Sequence, residues 1–288
     1  MIKLIHPRLT PARPDLAASY LRGKVEAARF VEGTARQVID AQAPVRSSPR
    51  PDAPLLTEAL KGERATIYET TEEGWAWGQL EADGYVGWLP ANALAAPGPA
   101  PTHKVAVPRA AVFPGPSIKL APVEALPLGA QVTISRVEGP FAVMASGGYV
   151  PMRHLAAIHA SAHDPIAVAE MFMHVPYIWG GKTSAGIDCS GLVQVAFTAC
   201  AIFCPRDSDM QEQALGCELP AGPALSDLRR GDIVFWEGHV ALARDSETLI
   251  HANAFHMAVA IEPIAEAIER IRAAGSEVTR VRRVAASP

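Results

Sequence analysis

The spacing of apolar and polar positions changes character along the chain. From residue 36 to residue 158 it runs in short alternating stretches, and a weak internal repeat is visible. One copy is KGERATIYETTEEGWAWGQLEADGYVGWLPANAL (Lys61–Leu94), the other LGAQVTISRVEGPFAVMASGGYVPMRHL (Leu128–Leu155). Each has a glycine, alternating β-branched residues, a turn, an aromatic-rich strand, then Gly-Tyr-Val and a short turn ending on Leu. Short strands at such spacing predict two small β-barrels, 36–97 and 102–158, parted by the prolines of Pro97–Pro101. Trp75, Trp77 and Trp88 occur only in the first copy. Residues 1–35 read as a turn-rich arm, with Asp15 expected to cap a short helix over Leu16–Leu21 that ends near Gly23.

Beyond residue 160 the period becomes helical. Asp164 followed by Pro165 is an N-cap with proline at the first helical position, and Ile166, Ala169, Met171 and Phe172 form an apolar stripe. A glycine-rich loop, Tyr177–Asp188, precedes Leu192, Val193, Ala196, Phe197 and Cys200, which place a second helix starting at or near Cys189. Ser208-Asp209-Met210-Gln211 fits a capping box and starts a third helix that stops near Gly216. Strands follow at Asp232–Trp236, Val240–Ala243 and Thr248–Ala252. Helices first and antiparallel strands after make 160–288 an α+β domain.

Composition narrows the function classes. The 288 residues include 25 prolines, and the formal net charge is −4. Without a dense Lys/Arg block, neither nucleic acid nor an acidic membrane surface is an expected partner. The N-terminal MIKLIHPRLTPARP lacks the ~7–15-residue apolar core of a secretory signal, and no stretch approaches the ~18 apolar residues of a membrane helix. The expected location is the cytoplasm. In that reducing compartment Cys189, Cys200, Cys204 and Cys217 are expected as thiols. Cys200 and Cys204, four apart on the expected helix, resemble half a zinc site. No second pair follows at metal spacing, so no metal and no cofactor is expected.

The segment Asp188-Cys189-Ser190-Gly191 carries the chemistry. A cysteine that opens a helix sits at the positive end of the helix dipole, which favours thiolate. The free N–H groups there could also hold an oxyanion. A packed apolar cysteine is the competing reading. His239 and His251 flank an expected hairpin that turns near Arg244–Glu247. If the two strands align so that these histidines lie directly opposite, their Cβ atoms are ~4.5–5.5 Å apart on one face. A one-residue slip would put them on opposite faces. The shared-face arrangement gives a base, His239, held in orientation by His251. Two unrelated histidines are the alternative.

These same residues carry a family resemblance. PYIWGGKTSAGIDCSGLVQ (176–194), LRRGDIVFWEGHVALA (228–243) and LIHAN (249–253) resemble, in order and spacing, the nucleophile, base and third-residue segments of the NlpC-type papain-like cysteine peptidases. The resemblance implies Cys189 as nucleophile, His239 as base and His251 as orienting residue. It implies Tyr177 near the nucleophile as an oxyanion aid. PRDSDMQ (205–211) resembles the groove-lining segment, with Arg206, Asp207 and Ser208 as substrate-binding candidates alongside Ser190. Asp83-Gly84-Tyr85-Val86-Gly87-Trp88 resembles bacterial Src-homology-3-like domains. Two such barrels before the catalytic domain resemble the layout of cytoplasmic γ-D-glutamyl-L-diamino acid endopeptidases. The implied substrate is a free murein peptide with an N-terminal L-Ala amine, received by Asp188, Tyr85 and one acid among Glu58, Glu72 and Glu73. An acyltransferase or amidase with the same core, or a non-catalytic wall-binding protein, are the alternatives.

Overall fold

A computed structural model describes residues 6–219, 225 and 227–284. The chain divides into two compact units, Met1–His159 and Ala160–Pro288.

In the first unit the alternating stretches pair into a seven-stranded antiparallel sheet. Its order is Leu55–Leu60, Gln42–Arg46, Val86–Pro90, Trp75–Leu80, Arg64–Thr70, Thr34–Val38, Leu94–Ala95. The arm departs from the expected helix. Leu16–Ala18 is a strand paired in parallel with Arg29–Val31, followed by a single 3-10 turn, Ser19–Leu21. Two observations explain this. Asp15 does not cap a helix but accepts from the Arg13 guanidinium at 2.8 Å. Leu16, Ala17 and Ala18 are all fully buried, which suits an extended segment covered on both sides. Leu16 joins the core of Trp77, Val86 and Trp88. The Arg13 guanidinium lies 4.3 Å from the Trp77 ring and 4.9 Å from the Trp88 ring, and it ion-pairs with Glu69. The arm therefore covers the aromatic face of the seven-stranded sheet.

Residues 103–157 build smaller sheets. His103–Val105 lies between Gln131–Val132 and Leu155–Ala157, and Arg109–Val112 pairs with Glu124–Pro127. Ile134–Glu138, Phe141–Met144 and Tyr149–Pro151 form a third sheet. The core is Val105, Val112, Leu126, Met144, Val150 and neighbours. The internal repeat has a structural counterpart at its end. Val86–Pro90, Ala91–Ala93 and Leu94–Ala95 run strand, 3-10 turn, strand, as do Tyr149–Pro151, Met152–His154 and Leu155–Ala157.

The second unit is α+β. Its helices are α1 (Pro165–Glu170), α2 (Cys189–Ala199), α3 (Ser208–Ala214) and α4 (Ile264–Ala273). Besides a short hairpin of Lys182–Thr183 with Gly186–Ile187, its strands are β1 (Cys217–Glu218), β2 (Ile233–Trp236), β3 (His239–Ala243), β4 (Thr248–Asn253), β5 (Ala258–Pro263) and β6 (Val278–Arg283), and these six share one sheet. They form one antiparallel sheet in the order β1-β6-β2-β3-β4-β5. Asp164 caps α1 by accepting from the Ile166 N–H at 2.9 Å. The capping box expected at Ser208 is absent: Ser208 is already helical, and Asp207 holds the cap position without a side-chain bond to the helix. Cys200 is the C-cap of α2 and Cys204 lies beyond it, so the two thiols do not share a helix. Among the described residues no cluster of His, Cys, Asp and Glu could hold a metal, and no helix is long and apolar enough to cross a membrane. α2 is buried along most of its length and packs on β3 and β4. That packing sets its first residue beside the start of β3.

The clamp on Arg13 gives a direct expectation. Arg13→Ala should destabilise the first unit by about 1–2 kcal/mol, the range for a partly desolvated cation–π contact. Arg13→Lys should fall between, because the ammonium keeps the charge and loses the planar stacking. Urea unfolding followed by tryptophan fluorescence checks both.

Candidate active site

The site is built on the first turn of α2. Asp188 is its N-cap, with Oδ1 accepting from the Gly191 N–H at 2.7 Å. Oδ2 accepts from the Gly180 N–H at 2.7 Å, which fastens the glycine-rich loop to the helix. A side chain at Gly191 would place its Cβ 2.3 Å from the Gly181 carbonyl oxygen, so this approach requires glycine. Arg206, 1% exposed, closes on the Asp188 carboxylate with two bonds of 2.9 and 2.8 Å. Its Nη1 also donates to Ser190 Oγ at 2.9 Å. Gln211 of α3 donates to the carbonyls of Ser190 and Pro205 at 2.9 and 2.8 Å. A buried carboxylate is tolerable here because a bidentate cation and backbone donors compensate it.

Cys189 is buried, and its sulfur accepts from the backbone N–H groups of Val240 and Ser190. Burial pushes the thiol up to about 12, and the Asp188 charge adds to this. The two N–H bonds and Arg206 pull back without prevailing. Burial thus works against the thiolate that the helix end favours. The helix end also contributes: the first-turn N–H of Gly191 is committed to Asp188, whose charge opposes the dipole beside the sulfur.

The imidazoles come from β3 and β4. These strands pair at Leu242↔Ile250 and Ala243↔Leu249. Continued, that register would set His239 opposite Asn253, not opposite His251. The offset is two residues, so the shared face survives although the direct opposition does not. His239 Nε2 lies 2.9 Å from His251 Nδ1, with ring centroids 5.1 Å apart. The parting of the strands toward His239 leaves the Val240 N–H to the Cys189 sulfur rather than to β4. Trp236, paired with His239 across the β2–β3 turn, covers its ring at 5.6 Å.

Glu262 of β5 is a member of the cluster that the motifs did not reveal. Its Oε1 lies 2.6 Å from His251 Nε2 and also accepts from Arg270 of α4. Burial would raise the Glu262 carboxyl, but the bonds and charges of His251 and Arg270 hold it below the usual range. Burial lowers His251, and Glu262 only partly offsets this. Burial, the neighbouring His251 and Arg270 lower His239 to about 3. Both rings are neutral at physiological pH. The sequence did carry one signal for Glu262: a single acid inside the otherwise apolar strand AVAIEP.

Tyr177 is half-buried on the loop before α2, where its N–H donates to the Met257 carbonyl at 2.9 Å. Burial first, then the charges of Cys189 and Asp188, raise its phenol, so it remains a donor. Asp207 and Ser208 are partly exposed at the start of α3. The structure thus gathers Cys189, His239, His251, Tyr177, Asp188, Ser190 and Arg206 in one unit. Tyr85 and Glu58 are buried in the other unit, and Glu72 and Glu73 are exposed there on the turn after Arg64–Thr70.

A buried cysteine opening a helix that packs on the histidine-bearing strands of an antiparallel sheet is the layout of a papain-like fold. Residues 174–275 match the NlpC/P60 family and residues 45–94 the bacterial dipeptidyl-peptidase SH3 domain. The chain is 30% identical over 246 residues to a γ-D-glutamyl-L-lysine dipeptidyl-peptidase of Bacillus cereus, covering 73% of this chain and 71% of that one. The enzyme of the same name from Bacillus subtilis is 29% identical over 245 residues, 75% of this chain and 78% of that one. The crystal structure of an NlpC/P60 family protein from Bacillus cereus superposes with a TM-score of 0.71 at 20% identity, covering 87% of this chain and 99% of that one. The chain belongs to the NlpC/P60 family, with an SH3-like domain ahead of the NlpC/P60 domain.

A protonated thiol at rest has a kinetic signature. Alkylation of Cys189 by iodoacetamide should accelerate steadily from about pH 6 to about pH 9, as the small thiolate fraction grows. A rate already flat from about pH 6 upward would show a preformed thiolate–imidazolium pair instead. Mass spectrometry of the Cys189 peptide gives the rate at this site alone.

Proposed function

We propose that this chain is a cysteine peptidase that hydrolyses the γ-D-glutamyl–diamino acid bond of free murein peptides. The observation that carries the chemistry is the 2.9 Å bond between the His239 and His251 rings, next to a sulfur seated on the Val240 N–H. The substrate class rests on the names of the two Bacillus relatives, which align over most of their length.

In this reading the Cys189 sulfur attacks the γ-carbonyl carbon of D-glutamate while His239 takes the thiol proton. Because both groups are neutral at rest, proton transfer accompanies attack. Gly191 and Leu192 N–H groups are engaged by Asp188. Oxyanion stabilisation therefore falls to the Cys189 N–H and the Tyr177 phenol. The protonated His239 then gives its proton to the leaving amine of the diamino acid. Water, deprotonated by His239, resolves the acyl-enzyme and regenerates the thiol. Asp188, beside the nucleophile, is assigned to the N-terminal ammonium of the substrate. It already holds Arg206, so further acceptors must complete the amine site. We take 1–35 as an arm, 36–97 as the SH3-like barrel, 102–158 as a second barrel of that kind and 160–288 as the catalytic domain. Recycling of imported wall peptides in the cytoplasm is the role that suits such a substrate. Burial of Trp77 and Trp88 under the arm disfavours the wall-binding alternative, because those rings are not free for a ligand.

The test is product analysis on L-Ala-γ-D-Glu-diaminopimelate. Mass spectrometry should find L-Ala-D-Glu and free diaminopimelate. Cys189→Ala should bind substrate by calorimetry without turnover, and His239→Ala should lose at least ~10²–10⁴-fold in kcat. N-acetylation of the alanine should raise KM or stop turnover. Equal rates on blocked and free peptide would remove the free-amine requirement, and a new amide in place of free acid would indicate acyl transfer.

A further inference from the structure

We infer that Glu262 is a positioning residue that sets the tautomer of both histidines, so that His239 offers an unprotonated Nδ1 to the Cys189 thiol. The inference rests on the peptidase reading for its kinetic consequence, but not for its structural content. An ionised carboxylate can only accept hydrogen bonds. With Arg270 also donating to its Oε1, Glu262 must receive a proton from His251 Nε2. A neutral imidazole carries one N–H, so His251 Nδ1 is then a lone pair. Among the described residues, the atom that bonds this lone pair is His239 Nε2, at 2.9 Å, which must therefore be the N–H. His239 Nδ1 is left as the base. It is the ring nitrogen nearer its own backbone, and the adjoining Val240 N–H is the group that bonds the Cys189 sulfur.

Three residues on neighbouring strands thus form a one-way chain: Glu262 on β5, His251 on β4, His239 on β3. His251↔Ala260 and Leu249↔Glu262 are register pairs, so Glu262 lies diagonal to His251 on the same face. When His239 Nδ1 takes the thiol proton, no bond in the chain reverses. His239 Nε2–H still donates to His251, and the new imidazolium charge lies one ring away from the Glu262 carboxylate. When the proton passes to the leaving amine, the chain returns to its starting state. A glutamine at 262 would break this directionality. Its amide can donate to His251 Nε2 as well as accept from it. In the donating state His251 carries its proton on Nδ1 and gives it to His239 Nε2, which moves the His239 proton to Nδ1. That ring could not accept the thiol proton.

The experiment joins nitrogen-15 histidine NMR with steady-state kinetics on the full chain. In the wild-type protein His239 and His251 should both show a protonated Nε2 and an unprotonated Nδ1. Glu262→Gln should give mixed tautomers at both rings and lower kcat about tenfold or more with KM unchanged. Glu262→Asp should restore the wild-type tautomers at least in part. Arg270→Gln, which removes one of the two partners that keep Glu262 ionised, should shift tautomers and kcat in the same direction as Glu262→Gln but by less. A wild-type His239 protonated at Nδ1 overturns the inference. So does Glu262→Gln with wild-type tautomers and kcat. If Glu262→Gln does not fold, the wild-type spectrum and Glu262→Asp still decide. A wild-type protein inactive on every murein peptide would sink the proposed function, yet the spectra would continue to test the tautomer chain.

Discussion

The catalytic unit depends on how two strands share a sheet and then separate. Where β3 and β4 pair, their apolar residues are buried and the register is firm. A slip by one residue would exchange the side chains of two faces that are both packed. Toward His239 the ladder ends, which frees a backbone donor for the sulfur of α2 and leaves the two rings to bridge the strands themselves. Regular pairing fixes the face on which the imidazoles stand. Its interruption makes room for the nucleophile. Neither feature alone would produce the cluster.

Under the helix start, Asp188 serves two demands at once. As a cap it satisfies the Gly191 N–H and anchors the loop at Gly180. As a buried charge it raises the neighbouring thiol, and Arg206 is the cation that makes its burial tolerable. The same carboxylate that lets α2 begin at Cys189 therefore adds to the burial that raises its thiol.

Much of this was legible in the sequence because its signals are local. The cap at Asp164, the helix opening at Cys189 and the hairpin at Arg244–Glu247 each follow from a few adjacent residues. The errors fall where distant contacts decide. Residues 16–18 are extended and not helical because Trp77 and Trp88, far along the chain, pack on Leu16. The histidine strands are offset by two positions because register is set by packing on both faces, not by the histidines. The helix dipole at Cys189, readable from position, is opposed by a burial and then a charge that position does not report, and both raise the thiol. Glu262 was missed for a related reason. Its partner is eleven positions away in sequence, and only the β4–β5 pairing makes them neighbours.

The arm across the SH3-like domain must form late in biosynthesis. Arg13 and Glu69 are 56 positions apart, and the tryptophans that Arg13 covers come later still. At ~5–20 residues per second of translation, the arm emerges several seconds before the surface it must seal. During that interval it has no folded partner and remains open to chaperones and proteases. Closure of this domain is then a late, non-local event, slower than its small size alone would suggest.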